Sequence, residues 1–380
     1  MKEDVSEPRF CHKTIRNKYK WGTRNGVFYF LGNVPSHINH ALPLYRSIGG
    51  TFIVLSEEAF RYCKNFGVDV VCATDNDSLF LEFTDDEVAA TINYLNRHAS
   101  VVIYYEIYPI ARSVRAKHIM LTHGNSFKEY YIEWRQRYMP YYDLFAGLGP
   151  IWEEATRKAG VPKSNIIEVG LARSDEVLIK RHKRQAKRRV YRALGISRKK
   201  STVAYMPTWW GPTSVNDTGK EIIRELSEEY LVIFRPHPST PKEVIDEYTA
   251  IIEDEKLNVF YLPEGNDLHI SLNDILTAAD VFIGDMSSVV LDALLADLPI
   301  IIAYGEGTRM QDKAIYTPML PVITLYPSIT HKTVSDINAI IQEAVRTGIN
   351  PQAYSDTKKA LFYGLDGDNV AVIKKVIKNV

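Results

Sequence analysis

Apolar runs of four or five residues, rich in β-branched and aromatic side chains, recur along this chain with helix-like stretches between them, once over residues 27–122 and again over 203–302. The first series is Val27–Leu31, Thr51–Leu55, Val68–Cys72, Val101–Tyr105 and His118–Thr122, with helical patterns over Ser36–Ser47, Glu57–Phe66 and Asp85–Arg97. Runs this short that are mostly apolar, not alternating, belong to strands buried on both faces, and strands joined by helices pair in parallel. The second series repeats the pattern with strands over Val203–Met206, Leu231–Phe234, Val259–Leu262, Ala279–Ile283 and Pro299–Ile302 and helices over Gly219–Ser227, Lys242–Glu253 and Leu272–Ala278. The expected fold class is therefore α/β, with two Rossmann-like domains facing each other across a cleft.

Domain boundaries follow from composition. Residues 1–25 are polar and basic and read as a lead-in, 26–178 as the N-terminal domain, and 179–200 as a basic interdomain region. The C-terminal domain is expected over 201–355, with a proline-rich stretch between Ile302 and Pro327 and a helix over Ser335–Thr347. A helical segment over 356–380 is expected to pack back on the N-terminal domain. Within the first half, Ile166–Val169 reads as a further short strand that ends on Gly170, followed by a helix start at Arg173-Ser174-Asp175.

Several function classes are disfavoured at once. With 46 basic and 46 acidic residues the chain has no global charge that would point to nucleic acid, so any binding of a polyanion has to be local. Three cysteines (Cys11, Cys63, Cys72) without CxxC or Cys/His spacing argue for a reducing cytoplasm and against a zinc site or disulfide scaffold. No apolar stretch approaches the roughly 18 residues of a membrane span, and no apolar segment follows the N-terminal charges. The oligomeric state is not legible.

Two local stretches stand apart. Tyr130–Tyr142 is dense in aromatic and basic residues, which suits either packing against a neighbouring domain or a lipid headgroup boundary. Lys180–Lys200 is the strongest charge run, either a solvated helix face or a surface for anionic lipid. Together they lead to the expectation of a cytoplasmic protein peripheral on the inner face of the cytoplasmic membrane.

Chemistry collects at strand ends. Residues 283–295 read as a strand end, a turn and a helix whose first turn holds Ser287 and Ser288, where backbone N–H groups, the helix dipole and two hydroxyls can receive an anionic group. The plainer reading makes Asp285 a helix cap. His123, followed by Gly124, ends another strand, and a neutral imidazole there suits a general base. In Arg235-Pro236-His237-Pro238 the prolines hold the histidine rigidly and the arginine offers a fork for phosphate; a merely stiffened loop is the alternative. No dedicated metal site is expected.

These residues resemble a known family, the CDP-glycerol:poly(glycerophosphate) glycerophosphotransferases of teichoic-acid and capsule assembly, which have a GT-B-like fold. The matching motifs are Thr122-His123-Gly124, Gly170-Leu171-Ala172-Arg173-Ser174-Asp175, Tyr205-Met206-Pro207-Thr208-Trp209, Arg235-Pro236-His237-Pro238 and Asp285-Met286-Ser287-Ser288 with Asp292, in the family's order. The chain departs from the usual pattern at Ala172, Trp210 and Met286.

The resemblance implies a transferase that moves glycerol phosphate, or a related alditol phosphate, from a CDP-activated donor to a glycan or lipid-linked acceptor. It gives His123 the role of base and His237 a role at the donor phosphates. Gly124, Arg173, Thr208, Arg235, Ser239, Asp285, Ser287, Ser288 and Asp292 are the implied donor-binding set, the N-terminal domain taking the acceptor and the C-terminal domain the nucleotide. No cofactor besides the CDP-alditol substrate is implied. The alternatives are a GT-B glycosyltransferase using a UDP- or CMP-sugar, and a non-catalytic membrane-associated assembly protein.

Overall fold

The computed structural model describes residues 26–32, 35–73, 85–124, 136–196, 200–209, 213–285, 287–305, 327–330, 333–347 and 351–379. The basic lead-in, residues 130–135 of the aromatic run, Trp210, Met286 and the proline-rich segment 306–326 lie outside these, as do the side chains of residues 180–183. The chain divides into two compact units, Met1–Asp175 with Phe362–Val380, and Glu176–Leu361.

In the first unit seven strands pair in parallel: β1 (Gly26–Gly32), β2 (Thr51–Val54), β3 (Val70–Cys72), β4 (Ala99–Tyr104), β5 (Lys117–Met120), β6 (Leu144–Ala146) and β7 (Ile166–Ile167). Their order across the sheet is β3-β2-β1-β4-β5-β6-β7. Helices α1 (Pro35–Ile48), α2 (Glu57–Lys64), α3 (Asp85–His98) and α4 (Pro150–Lys158) carry the connections. The sequence dictates such starts and stops locally. Ser56, for example, caps α2 by accepting the Ala59 N–H at 3.1 Å, with Glu57 and Glu58 in the first turn and Arg61 and Lys64 in the last, each sign matched to the helix dipole.

The strand order reverses between β1 and β4, so the loops leaving their carboxyl ends diverge and leave a crevice, the usual ligand position in open α/β sheets. In the described part of the aromatic run, 136–142, Met139 and Tyr142 pack inward, whereas Arg137, Pro140 and Tyr141 are exposed. Tyr142 is buried, its hydroxyl accepts the Tyr108 N–H at 2.7 Å, and its ring meets Tyr104 edge-on at 5.0 Å.

The second unit repeats the design with β8 (Thr202–Met206), β9 (Leu231–Phe234), β10 (Val259–Tyr261), β11 (Val281–Gly284), β12 (Ile300–Ala303) and β13 (Ser328–Ile329), all parallel, in the order β10-β9-β8-β11-β12-β13. Its core includes a stack of Tyr205 on Phe234 and Phe234 on Tyr248, with ring centroids 5.6 and 4.6 Å apart. Here the order reverses between β8 and β11. The basic run forms helix α5 (Lys180–Ala193), with Ala186 and Val190 buried. Lys187 pairs with Asp280 at 2.7 Å and Arg189 with Asp274, while Arg184, Arg188 and Arg192 are exposed.

Helix α12 (Asn369–Asn379), at the carboxyl end, belongs to the first unit. Its attachment explains the Gly170-to-Asp175 motif. The Asp175 carboxylate accepts the N–H groups of Asn369 at 3.0 Å and Val370 at 2.9 Å, an anion on the start of a helix. Gly170 approaches so closely that a Cβ would stand 2.9 Å from both the Asn369 carboxamide oxygen and the Tyr363 carbonyl.

Candidate active site

In the second unit three loops meet at the carboxyl end of the sheet. The loop after β9 is tied to the loop after β8 by backbone hydrogen bonds from Arg235 N to Tyr205 O at 2.9 Å and from His237 N to Pro207 O at 3.1 Å. The loop after β11 joins them through Asp285. This carboxylate is buried, and accepts the N–H of Thr208 at 2.9 Å and of Ser214 at 3.2 Å. Burial pushes its pKa up to about 7, against the pull of those hydrogen bonds. Asp285 does not cap the helix that follows. The N-cap of α9 (Ser288–Leu295) is Ser287, in extended backbone with φ −131 and ψ 163 and without a side-chain cap bond.

That leaves the Ser287 hydroxyl buried and without a hydrogen-bond partner among the described residues, beside a helix start. Ser288 is half-buried at the first position of α9, and Asp292 is buried one turn further in. His237 and Ser239 are exposed, and the Ser239 N–H donates to Nδ1 of His237 at 3.0 Å. A nitrogen that accepts carries no proton, so a neutral His237 holds its N–H at Nε2 and presents a donor. The ring of Trp209, 41% exposed, lies 5.7 Å from it. Arg235 behaves otherwise: it is buried, its guanidinium donates to the Ile270 carbonyl at 3.3 Å and stands 3.9 Å from Glu264.

In the first unit His123 follows β5 through Thr122, which adopts the left-handed conformation, with φ 62. For a β-branched residue this is strained by about 1–3 kcal/mol, and it turns the chain off the strand just before the histidine. Nδ1 of His123 lies 2.9 Å from the Tyr105 carbonyl. A carbonyl only accepts, so Nδ1 carries the proton and the lone pair sits on Nε2, the reverse of His237. Among the described residues a Cβ on Gly124 would meet nothing within 4 Å, so their packing does not require glycine there.

Around His123 the fold gathers residues that sequence reasoning missed: His37 and His40 from α1, and Glu106 just past β4. The His37 and His123 rings are 4.5 Å apart, and Glu106 stands 3.9 Å from Nδ1 of His123. Arg173 belongs to this group, buried, with Nε donating to Nδ1 of His40 at 3.0 Å. Burial, with Arg173 and the two other histidines adding, holds His40 well below the ordinary histidine value. The sequence had grouped Arg173 with the donor-binding residues; the fold places it in the first unit beside His40. The only local signal for the two missed histidines is their spacing of three, which puts them on one helix face.

Comparison with known proteins adds a family and a fold. A model of the CDP-Glycerol:Poly(glycerophosphate) glycerophosphotransferase family matches residues 94–320. The teichoic acid poly(ribitol-phosphate) polymerase of Bacillus spizizenii is 26% identical over 193 residues, 48% of this chain and 29% of that protein. The teichoic acid glycerol-phosphate primase of Bacillus subtilis is 25% identical over 169 residues, 43% of this chain and 40% of that protein. The chain thus matches less than half the length of either relative.

Among solved structures, the wall teichoic acid polymerase TagF superposes with a TM-score of 0.63 at 16% identity, covering 93% of this chain and 88% of that one. Anabaena Alr3699/HepE in complex with UDP-glucose superposes at 0.56 and 12% identity, covering 93% and 100%. Identities this low speak for the fold alone, two Rossmann-like domains of GT-B-like type.

Proposed function

This chain belongs to the CDP-glycerol:poly(glycerophosphate) glycerophosphotransferase family, and from that membership we infer that it transfers an alditol-phosphate unit, glycerol phosphate in the first instance, from a CDP-activated donor to a hydroxyl of a cell-envelope glycan or lipid-linked acceptor. The acceptor oxygen attacks the β-phosphorus of the donor and its proton passes to Nε2 of His123. The bond from the β-phosphorus to the bridging oxygen breaks, and CMP leaves with that oxygen. A phosphodiester remains.

The observation that carries this reading is the opposite setting of the two histidines: a lone pair at Nε2 of His123, fixed by the Tyr105 carbonyl, and an N–H at Nε2 of His237, fixed by the Ser239 N–H. One is an acceptor for a proton, the other a donor to an oxyanion. The N-terminal unit accordingly supplies the base and takes the acceptor, and the C-terminal unit holds the donor. Ser287, Ser288 and the start of α9 meet the pyrophosphate, with His237 and Thr208 beside them. Asp285 holds the Thr208 and Ser214 loop in place, and Arg235 the loops around it.

Nucleotide release with a glycerol-phosphate oligomer as acceptor tests the reading: CMP from CDP-glycerol or CDP-ribitol is expected, and none from CMP-sugars. The likeness to HepE, solved with UDP-glucose, makes UDP-glucose the informative rival donor. UDP release without any CMP would transfer the chain to the glycosyltransferases.

Among the described residues no helix is long and apolar enough to cross a membrane. The exposed Arg184, Arg188 and Arg192 of α5 support attachment to an anionic membrane surface, each basic residue contributing about 1 kcal/mol. Failure to sediment with anionic liposomes at low salt would remove that part of the reading.

A further inference from the structure

We propose that the first unit binds a divalent transition-metal ion of the Zn2+ type through Nε2 of His37, Nε2 of His123 and the carboxylate of Glu106. One ligand atom from each of the three residues lies within 4.8 Å of the others. They come from three elements that the topology brings to one end of the sheet. His37 is in the first turn of α1, directly after β1; Glu106 lies just past β4; His123 lies just past β5. The first two flank the point where the strand order reverses.

The two imidazoles have the second-layer support that metal-ligating histidines require. Nδ1 of His37 is 2.7 Å from the Leu31 carbonyl, and Nδ1 of His123 is 2.9 Å from the Tyr105 carbonyl. Both carbonyls accept, so both Nδ1 atoms carry protons and both lone pairs are at Nε2. A carbonyl on the far nitrogen fixes the tautomer and ring orientation and raises the basicity of the ligating nitrogen. Glu106 is steadied by the Tyr108 hydroxyl at 3.3 Å.

Two imidazoles and one carboxylate suit zinc and its neighbours, whereas magnesium and calcium prefer oxygen ligands throughout. Bonds of about 2.0–2.2 Å bring ligand atoms to roughly 3–4 Å from one another, so closing the site around an ion takes side-chain movement. Glu106 and His123 are 22% and 28% exposed at their side chains, which leaves room for that movement and a route for the ion. His40 stands outside the ligand set, because its Nδ1 accepts from the Arg173 guanidinium.

An ion on Nε2 of His123 takes the lone pair that the transfer reaction uses. It therefore inhibits transfer and is no cofactor of it. This second part rests on the role of His123 given above; the binding itself does not.

The test starts from the full chain stripped with EDTA and desalted, titrated with Zn2+ by calorimetry and with Co2+ by visible absorption, with CMP release from CDP-glycerol followed in parallel. One ion per chain is expected. His37→Asn and Glu106→Gln, each shown by circular dichroism to be folded, are expected to weaken binding at least about tenfold. Saturating Zn2+ is expected to slow CMP release by wild type at least about tenfold, EDTA to restore it, and His37→Asn to need about ten times more Zn2+ for the same fractional loss.

Absence of a bound ion, or affinity unchanged in both variants, overturns the proposal. Turnover of the Zn2+-saturated protein at the metal-free rate overturns the inhibitory part. If no donor yields CMP, the functional reading fails, and the binding titrations still decide whether the ion site exists.

Discussion

The backbone N–H of Ser239 lies 3.0 Å from Nδ1 of His237, so a residue two positions along fixes which ring nitrogen of an exposed histidine carries the proton. Pro236 and Pro238 flank it, and the His237 N–H is held by the Pro207 carbonyl at 3.1 Å. The backbone is thus constrained on both sides and the ring is set from within its own loop. In the other unit a carbonyl does the opposite to His123. The chemistry assigned to each histidine is a property of the backbone that touches it.

His237→Ala is expected to lower kcat/KM for CDP-glycerol by about 100-fold, the usual effect of removing one donor to a developing oxyanion. His237→Gln, which keeps an N–H donor, is expected to recover part of the loss. CMP release measures both. A Gln variant no better than Ala would show that donation is not what the ring supplies.

His123→Ala is expected to cut kcat by about 100-fold or more, if proton transfer is its role. The donor is held by the other unit in this reading, so its affinity is expected to hold. The rise in melting temperature with CDP-glycerol measures that affinity apart from turnover. Loss of the thermal shift together with the rate would make His123 a donor-binding residue.

Asp285 gives a stability prediction with a definite sign. Its pKa is raised from the usual 3.8 to about 7 by burial, so between these values the folded protein holds a proton that the unfolded chain has lost. Folding takes up that proton, and the contribution to stability falls as pH rises through this window, by at most about 1.4 kcal/mol per pH unit. Asp285→Asn removes the titrating group. The stability difference, wild type minus variant, is expected to drop by roughly 2 kcal/mol between pH 5 and pH 8. Denaturant melts at the two pH values give that difference, and a constant gap would show that Asp285 is ionised throughout.

Sequence patterning rendered the buried parallel strands well because runs such as Leu231–Phe234 and Val281–Gly284 are apolar on both faces and bounded by loop chemistry. It passed over β6 (Leu144–Ala146) and β13 (Ser328–Ile329), strands of three and two residues that carry no period. It also passed over α4, where Pro150 at the helix start reads as a break, and it read helix Pro351–Leu361 as part of one helical segment beginning at 356. Strand-end loops with distinctive composition were legible as sites.

The direction of individual side chains was not legible. Asp285 stands where a cap would, yet its partners are Thr208 and Ser214, 77 and 71 residues away. His37, His40 and Glu106 have no local signature of chemistry; only the order β2-β1-β4-β5 brings them beside His123.

The last prediction concerns Asn369, which is fully buried at the start of α12. Its carboxamide accepts the Gly170 N–H at 2.7 Å and donates to Asp175 at 2.8 Å and to the Gly364 carbonyl at 2.9 Å. Asn369→Ala leaves the Gly170 N–H buried without its acceptor and deprives the Asp175 carboxylate of a donor. Each orphaned group costs about 1–3 kcal/mol, so a loss of roughly 3 kcal/mol is expected. Asn369→Asp keeps the acceptor for Gly170 but sets a carboxylate against Asp175, and is expected to be at least as destabilising near neutral pH. Melting temperatures of the two variants against wild type decide it. A change below about 1 kcal/mol in both would mean that α12 is held by its apolar contacts at Ile373 and Ile377, and that the Gly170-to-Asp175 motif is retained for another reason.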